Sequence, residues 1–242
     1  LTNKKIKIHV KNNHWAPGSF PTDAEGEKNF TITKDRFDEV LKDFPEIKKK
    51  VEIFVDWDED NFEKSMANSD ILVAWNFPTK NLKEVAPNLK WIHVISAGVE
   101  HLHSLDWMFD GLILTNSSGV HAKKAGEYGL MSLLMLQNHM TKIITNQKEK
   151  KFASLFSNPI AGKIVVVVGT GSLGASMVKL VTPLGANVIG VNKRGKNLEG
   201  CSKVITIDKI DTVLPEADFL YLAVPETSET KNLIAKQDLI CL

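Results

Sequence analysis

Two hydrophobic periods alternate along this chain. Short apolar runs rich in β-branched and aromatic residues fall at 6–10, 51–55, 71–74, 91–95 and 112–115, then again at 164–168, 187–191 and 219–224. Each has strand length, and the run Ile164 to Val168 is the continuous kind that a strand buried on both faces requires. Stretches with helical spacing lie between the runs. Phe37, Val40, Leu41 and Phe44 fall at i, i+3, i+4 and i+7, a helix face that Pro45 should end. A short polar helix over 58–68 should turn Phe62 and Met66 inward, and Ala122 to Asn146 reads as one long helix. The middle of that helix, 130–136, is apolar nearly all round, the profile of a helix buried between layers or at a subunit contact. Further helical stretches are expected from Leu173 to about Leu184, from a cap at Asp208 through Leu214, and from Lys231 onward. Asn12 to Lys28, rich in Pro, Gly, Asn and Asp, is predicted as loop. Strands alternating with helices predict an α/β fold with parallel sheets covered on both faces. The basic run Lys148 to Lys151 marks a boundary near residue 150, and a second α/β unit follows it.

Composition narrows the function classes. With 30 Lys+Arg against 29 Asp+Glu, the chain has no bulk electrostatic pull toward nucleic acid or an anionic membrane. The strongly apolar stretch Gly129 to Leu136 is too short to span a bilayer. Two cysteines, Cys201 and Cys241, make no disulfide framework, so a reducing, cytoplasmic setting is the expectation. The histidines and cysteines show no metal-ligand spacing. No signal-peptide pattern opens the chain, and Leu1 is not an initiator Met.

The sharpest local signal is Val168-Gly169-Thr170-Gly171-Ser172-Leu173-Gly174, a G-x-G-x-x-G between a strand and a helix. The first glycine permits the tight turn, the second lets backbone approach a pyrophosphate, and the third lets the helix pack on the strand. The helix N-terminus then offers unpaired N–H groups to phosphates. About 20 residues beyond, where an NAD site places an acidic residue for the ribose, this chain has Asn192 followed by Lys193 and Arg194. No carboxylate is there to repel a 2′-phosphate and two cations follow, so NADP(H) is expected to be preferred, with NAD(H) as the alternative.

From about Trp91 onward the chain resembles the D-isomer-specific 2-hydroxyacid dehydrogenases, nearest the glyoxylate/hydroxypyruvate reductase branch. The residues that carry the likeness are Trp91 to Leu102, Leu114 to His121 with Ala125 to Tyr128, the glycine turn, and Val224-Pro225-Glu226-Thr227-Ser228-Glu229-Thr230-Lys231-Asn232-Leu233-Ile234. The resemblance implies two Rossmann- or flavodoxin-like domains. Residues 1–120 would form a substrate domain, 121–150 an interdomain helix, and 151–242 the N-terminal part of a nucleotide-binding domain. It implies an oxidoreductase moving a hydride between a nicotinamide coenzyme and a small 2-keto acid, and a homodimer at full length. Carried over by position, Gly169, Gly171, Ser172, Leu173 and Gly174 would face the pyrophosphate. Asn192, Lys193 and Arg194 would surround the adenosine ribose, and Val224, Pro225 and Thr230 the nicotinamide ribose. Ala97, Gly98 and Val99 would offer backbone N–H groups to the substrate carboxylate, and Gly98 suits such an anion nest. Trp75 and Asn76, at a strand end, are further candidates for the substrate cleft.

The same resemblance places a catalytic Arg and a Glu–His pair downstream of Ile234, at positions this sequence does not contain. The sequence therefore reads as part of a longer chain, expected to be inactive alone, and no catalytic residue is assigned within it. His93 is expected to be a satisfied core histidine and His139 to pack or cap within the long helix; His101, His103 and His121 receive no catalytic role. The competing reading is a nucleotide-sensing, corepressor-like interaction protein on the same scaffold.

Overall fold

The computed structural model describes residues 4–16, 18–19 and 24–240; Cys241 and the chain ends fall outside them. The chain divides into two compact units, Leu1–Ser118 and Gly119–Leu242. Helical residues assigned above to an interdomain segment thus fold as part of the second unit.

In the first unit β1 (Ile6–Asn12) is followed by α1 (Ala24–Phe30), α2 (Lys34–Val40) and α3 (Pro45–Lys48). Then come β2 (Val51–Trp57), α4 (Phe62–Met66), β3 (Ile71–Ala74), α5 (Leu82–Val85), β4 (Trp91–Val94) and β5 (Ile113–Asn116). The strands form one parallel sheet in the order β2-β1-β3-β4-β5, with Ile8 level with both Ile53 and Ile71. This is the flavodoxin-like order, whose direction of growth reverses between β1 and β3. Alternate residues of β3 and β4, Leu72 with Ala74 and Ile92 with Val94, meet Phe62 and Met66 of α4 in the main core. Met66, Leu72 and Ile92 are wholly excluded from water, each contributing roughly 1.5–3 kcal/mol of burial.

Two local expectations fail here. The segment expected to be loop through Lys28 contains α1, with Glu25 and Glu27 placed to favour its N-terminal end. Pro45 does not end a helix but opens α3, where the missing N–H costs nothing. The helix before it, α2, is capped by Thr33, whose hydroxyl accepts from the Arg36 N–H, and is braced by Lys34–Asp38 at 2.7 Å. Of the expected apolar face only Leu41 is buried; Val40 and Phe44 are more than half exposed.

The second unit opens with α6 (Ala122–Gln137) and α7 (Met140–Lys148). Next are β6 (Ile164–Val168), α8 (Ser172–Val181), β7 (Asn187–Asn192), β8 (Lys203–Thr206), β9 (Phe219–Leu222) and α9 (Lys236–Ile240). Its parallel sheet runs β8-β7-β6-β9, the first four strands of the nucleotide-binding order, reversing at β6. Val165 to Val168 are essentially excluded from solvent. They alternate between two cores, one under α6 and α8 and one against the turns at 207–216. The single helix expected over 122–146 is two helices. Asn138 turns its amide back to Leu134 O at 2.8 Å, and His139 takes a left-handed conformation at φ 54° just before α7, where its side chain makes no capping bond and its Nε2 lies 3.2 Å from Phe156 O. Nor is α6 buried all round. Leu133 is buried and Gly129 seats it against Tyr221 and Met177, while Met131 and Leu136 remain exposed. Strand β8 was not anticipated, and Asp208 lies in a 3-10 turn rather than capping an α-helix.

Candidate functional site

At the carboxyl end of β6 the chain must reverse, enter α8 and leave room above the sheet. Gly169 makes the reversal at φ 92°, and a Cβ there would stand 2.4 Å from the Ala223 carbonyl oxygen after β9. Gly174 lets α8 press onto the turn; its Cβ would lie 1.9 Å from the Gly169 carbonyl oxygen. Gly171 differs. A Cβ there would meet nothing within 4 Å, so no contact within the protein explains the glycine. Gly171 is also the N-cap of α8 and supplies no side-chain cap; the helical ladder begins with Ala175 N–H to Gly171 O at 2.8 Å. The N–H groups of Ser172, Leu173 and Gly174 are therefore first-turn donors without a partner in the helical ladder, next to the open space at Gly171.

That space continues into a cavity of about 890 Å³ at the reversal point of the sheet. Val168, Val191, Ile207, Val224 and Leu233 give it apolar walls, and the loop after β7 gives it a cationic rim. Asn192 shapes that loop. Its Oδ1 accepts from the N–H groups of Arg194 at 3.0 Å and Lys196 at 3.1 Å, while Nδ2 donates to Thr170 Oγ1 at 2.8 Å and Lys196 O at 2.9 Å. The amide is fully used within the protein. Lys193 Nζ reaches across to the Glu229 carboxylate, at 2.9 and 2.8 Å from its two oxygens. Opposite, Thr227 and Thr230 lock the segment after β9. Thr227 N–H donates to Thr230 Oγ1 at 2.9 Å, Thr230 N–H to Thr227 Oγ1 at 3.2 Å, and the Thr230 hydroxyl to Pro225 O at 2.5 Å.

Of the expected coenzyme residues, Gly169, Gly171, Asn192, Lys193, Arg194, Val224, Pro225 and Thr230 all line this one cavity. Ser172, Leu173 and Gly174 open the helix beside it and do not line it. Sequence reasoning missed Thr170, Lys196, Thr227 and Glu229. Thr170 lies within the glycine turn and Thr227 and Glu229 within the segment from Val224 to Ile234, so the signal was there for all but Lys196.

The expected substrate residues lie in the first unit. After β4, Ser96 Oγ donates to Gly98 O at 2.5 Å, and the Glu100 carboxylate folds against Gly98, where any Cβ would clash at 2.1 Å. Trp75 stacks on His101, ring centroids 5.4 Å apart, and His101 Nε2 lies 2.7 Å from Trp75 O. Phe30 meets Trp75 edge-on at 5.1 Å. Asn76 Oδ1 accepts from Lys11 Nζ at 3.3 Å, and Lys11 also donates to Asn13 Oδ1 at 2.6 Å. Lys11 is 3% exposed, and burial pushes its ammonium below the ordinary lysine range against the pull of Glu59 and Asp58. These residues gather where β1 and β3 end, the reversal point of this sheet. Asn76 and His101 also line a cavity of about 550 Å³ that Ala97, Gly98 and Val99 do not border. His93 is half-buried and paired with Thr115 Oγ1 at 3.0 Å, and burial lowers its pKa. Among the described residues no cluster of metal-ligating side chains occurs, and no helix is long and apolar enough to cross a membrane.

A parallel sheet reversing beside a glycine turn, an uncapped helix N-terminus and an apolar cleft with a cationic rim together define an NAD-binding domain. Residues 130–240 match the family model described as D-isomer specific 2-hydroxyacid dehydrogenase, NAD binding domain. Through these residues the second unit is similar to the NAD-binding domain of that family. It is 24% identical over 186 residues to a hydroxypyruvate reductase of Thermotoga maritima, covering 75% of this chain and 60% of the relative. It resembles in fold a D-isomer specific 2-hydroxyacid dehydrogenase of Xanthobacter autotrophicus solved with NADPH. That likeness has TM-score 0.72 and 20% identity, covering 99% of this chain and 69% of the other. An NAD-complexed family member from Lactobacillus delbrueckii matches at TM-score 0.65 and 20% identity, covering 98% and 68%. The chain spans about half the length of the curated relatives it matches.

Proposed function

We propose that this protein belongs to an NAD(P)-dependent reductase of small 2-keto acids, with glyoxylate and hydroxypyruvate as the first substrates to try and NADP(H) as the favoured coenzyme. One observation carries the reading: the space at Gly171 and the donors of the first turn of α8 adjoin a cavity whose rim bears Lys193, Arg194 and Lys196 and no carboxylate at the end of β7. The residues present fit a dinucleotide. Backbone N–H groups at Ser172, Leu173 and Gly174 would take the pyrophosphate, and Val224 and Pro225 would flank the nicotinamide ribose. Arg194, with a planar fork matched to phosphate, would take the 2′-phosphate. When bound, the coenzyme supplies the hydride. The protein's part is to hold the substrate carboxylate, for which the backbone at Ala97, Gly98 and Val99 is the candidate, with Trp75 and Asn76 beside the acid.

The family match and the Thermotoga relative support the reaction class; the cationic loop supports the coenzyme choice. Titration with NADPH and NADH, followed by calorimetry or nicotinamide fluorescence, tests it. Saturable uptake with NADPH bound at least tenfold more tightly is expected, since one charge-assisted contact contributes about 1.5–3 kcal/mol. Uptake favouring NADH removes the coenzyme preference, and no uptake of either removes the function.

A further inference from the structure

The cavity of the second unit is bridged by an ion pair between residues 36 positions apart in sequence. Lys193 follows β7 and Glu229 lies in the Thr-locked segment after β9; both line the cavity. The side chains are 75% and 68% exposed, so water competes for both charges and the pair exchanges easily. Arg194 and Lys196, on the same loop, have no carboxylate partner among the described residues. The Asn192 amide holds their backbone N–H groups and leaves their side chains outside the pairing.

Resting on the coenzyme reading above, we propose that Glu229 sets the margin between the two coenzymes by competing with a 2′-phosphate for Lys193. A 2′-hydroxyl makes no demand on an ammonium already satisfied by a carboxylate, so NADH leaves the bridge intact. A 2′-phosphate draws the ammonium to itself. Lys193 then exchanges one anion for another, and Glu229 is left as a bare carboxylate close to a phosphate dianion. Both effects oppose NADPH alone. Glu229 is thus a specificity-determining residue that restrains the preference its cationic neighbours create.

The test compares dissociation constants for NADPH and NADH in the full 242-residue chain and in Glu229→Gln, with thermal unfolding measured on both. Removing the carboxylate is expected to tighten NADPH about fivefold, the upper end for an exposed pair. NADH should stay within about twofold and the melting temperature should be unchanged. In Lys193→Gln, where Glu229 faces the phosphate unscreened, NADPH should weaken, and adding Glu229→Gln should recover part of that loss. NADPH affinity unchanged or weakened in Glu229→Gln, or both coenzymes shifting together, overturns the inference and leaves the coenzyme site standing. Failure of the unsubstituted chain to take up either coenzyme overturns both.

Discussion

Replacing Gly171 by alanine separates a glycine kept for a ligand from glycines kept for the fold. Gly171 sits at φ −72° and ψ −164°, a conformation open to alanine, and its Cβ would point into empty space. Folding should therefore be unharmed. Restricting the unfolded chain should even raise stability by about 0.4–1 kcal/mol. On the proposed coenzyme reading, the same methyl would fill the gap through which a pyrophosphate would reach the first turn of α8. Losing one charge-assisted contact, at about 1.5–3 kcal/mol, predicts at least a tenfold loss of NADPH affinity. Gly174→Ala should do the reverse in order of severity. Its methyl would stand 1.9 Å from a carbonyl oxygen, a clash with backbone that costs about 1–3 kcal/mol or more before any ligand is added. Urea unfolding with NADPH titration on both variants checks the pair. A Gly171→Ala protein that binds NADPH normally, or one as destabilised as Gly174→Ala, refutes the reasoning.

Three further outcomes are expected. Arg194→Gln should weaken NADPH roughly 10- to 150-fold and leave NADH nearly unchanged, measured by calorimetry. His9 is wholly buried, stacked on Phe54 and 3.4 Å from Asp56, and burial lowers its pKa from 6.5 to about 4. Between those values the unfolded state holds the extra proton. Stability is thus complete above pH 6.5 and falls by roughly 3 kcal/mol as the pH drops to about 4; His9→Phe should flatten that slope in urea unfolding. Ile92→Ala, at a fully buried core position, should cost about 2–5 kcal/mol by the same measurement.

How much of this was legible in the sequence depended on whether a residue's reason was local. β3 and β6 were read to their end residues because continuous apolar runs bounded by turns have few alternatives. The glycine turn was legible because a backbone requirement translates directly into a residue type. The break between α6 and α7 was not, since Asn138 and His139 are tolerated within helices, and only here does Asn138 bond back to Leu134 O while His139 turns left-handed. β8 is a four-residue edge strand beginning at Lys203, too short for periodicity to register. Lys11 lies beyond the apolar run at 6–10 and drew no attention; its burial follows from where β1 ends beside Asn76. Thr170 and Glu229 sit inside segments the sequence singled out, but the meeting of Lys193 with Glu229, 36 positions apart, is a pairing across the sheet that no sequence spacing encodes.

The four hydrogen bonds of Asn192 have a consequence for how coenzyme choice can drift. On the loop itself they grasp main-chain atoms, the N–H groups of residues 194 and 196 and the carbonyl of 196, which are indifferent to the side chains those positions carry. The tip is thus a pre-set mount with interchangeable fittings. Mutation can rewrite its charges one at a time without first dismantling the support.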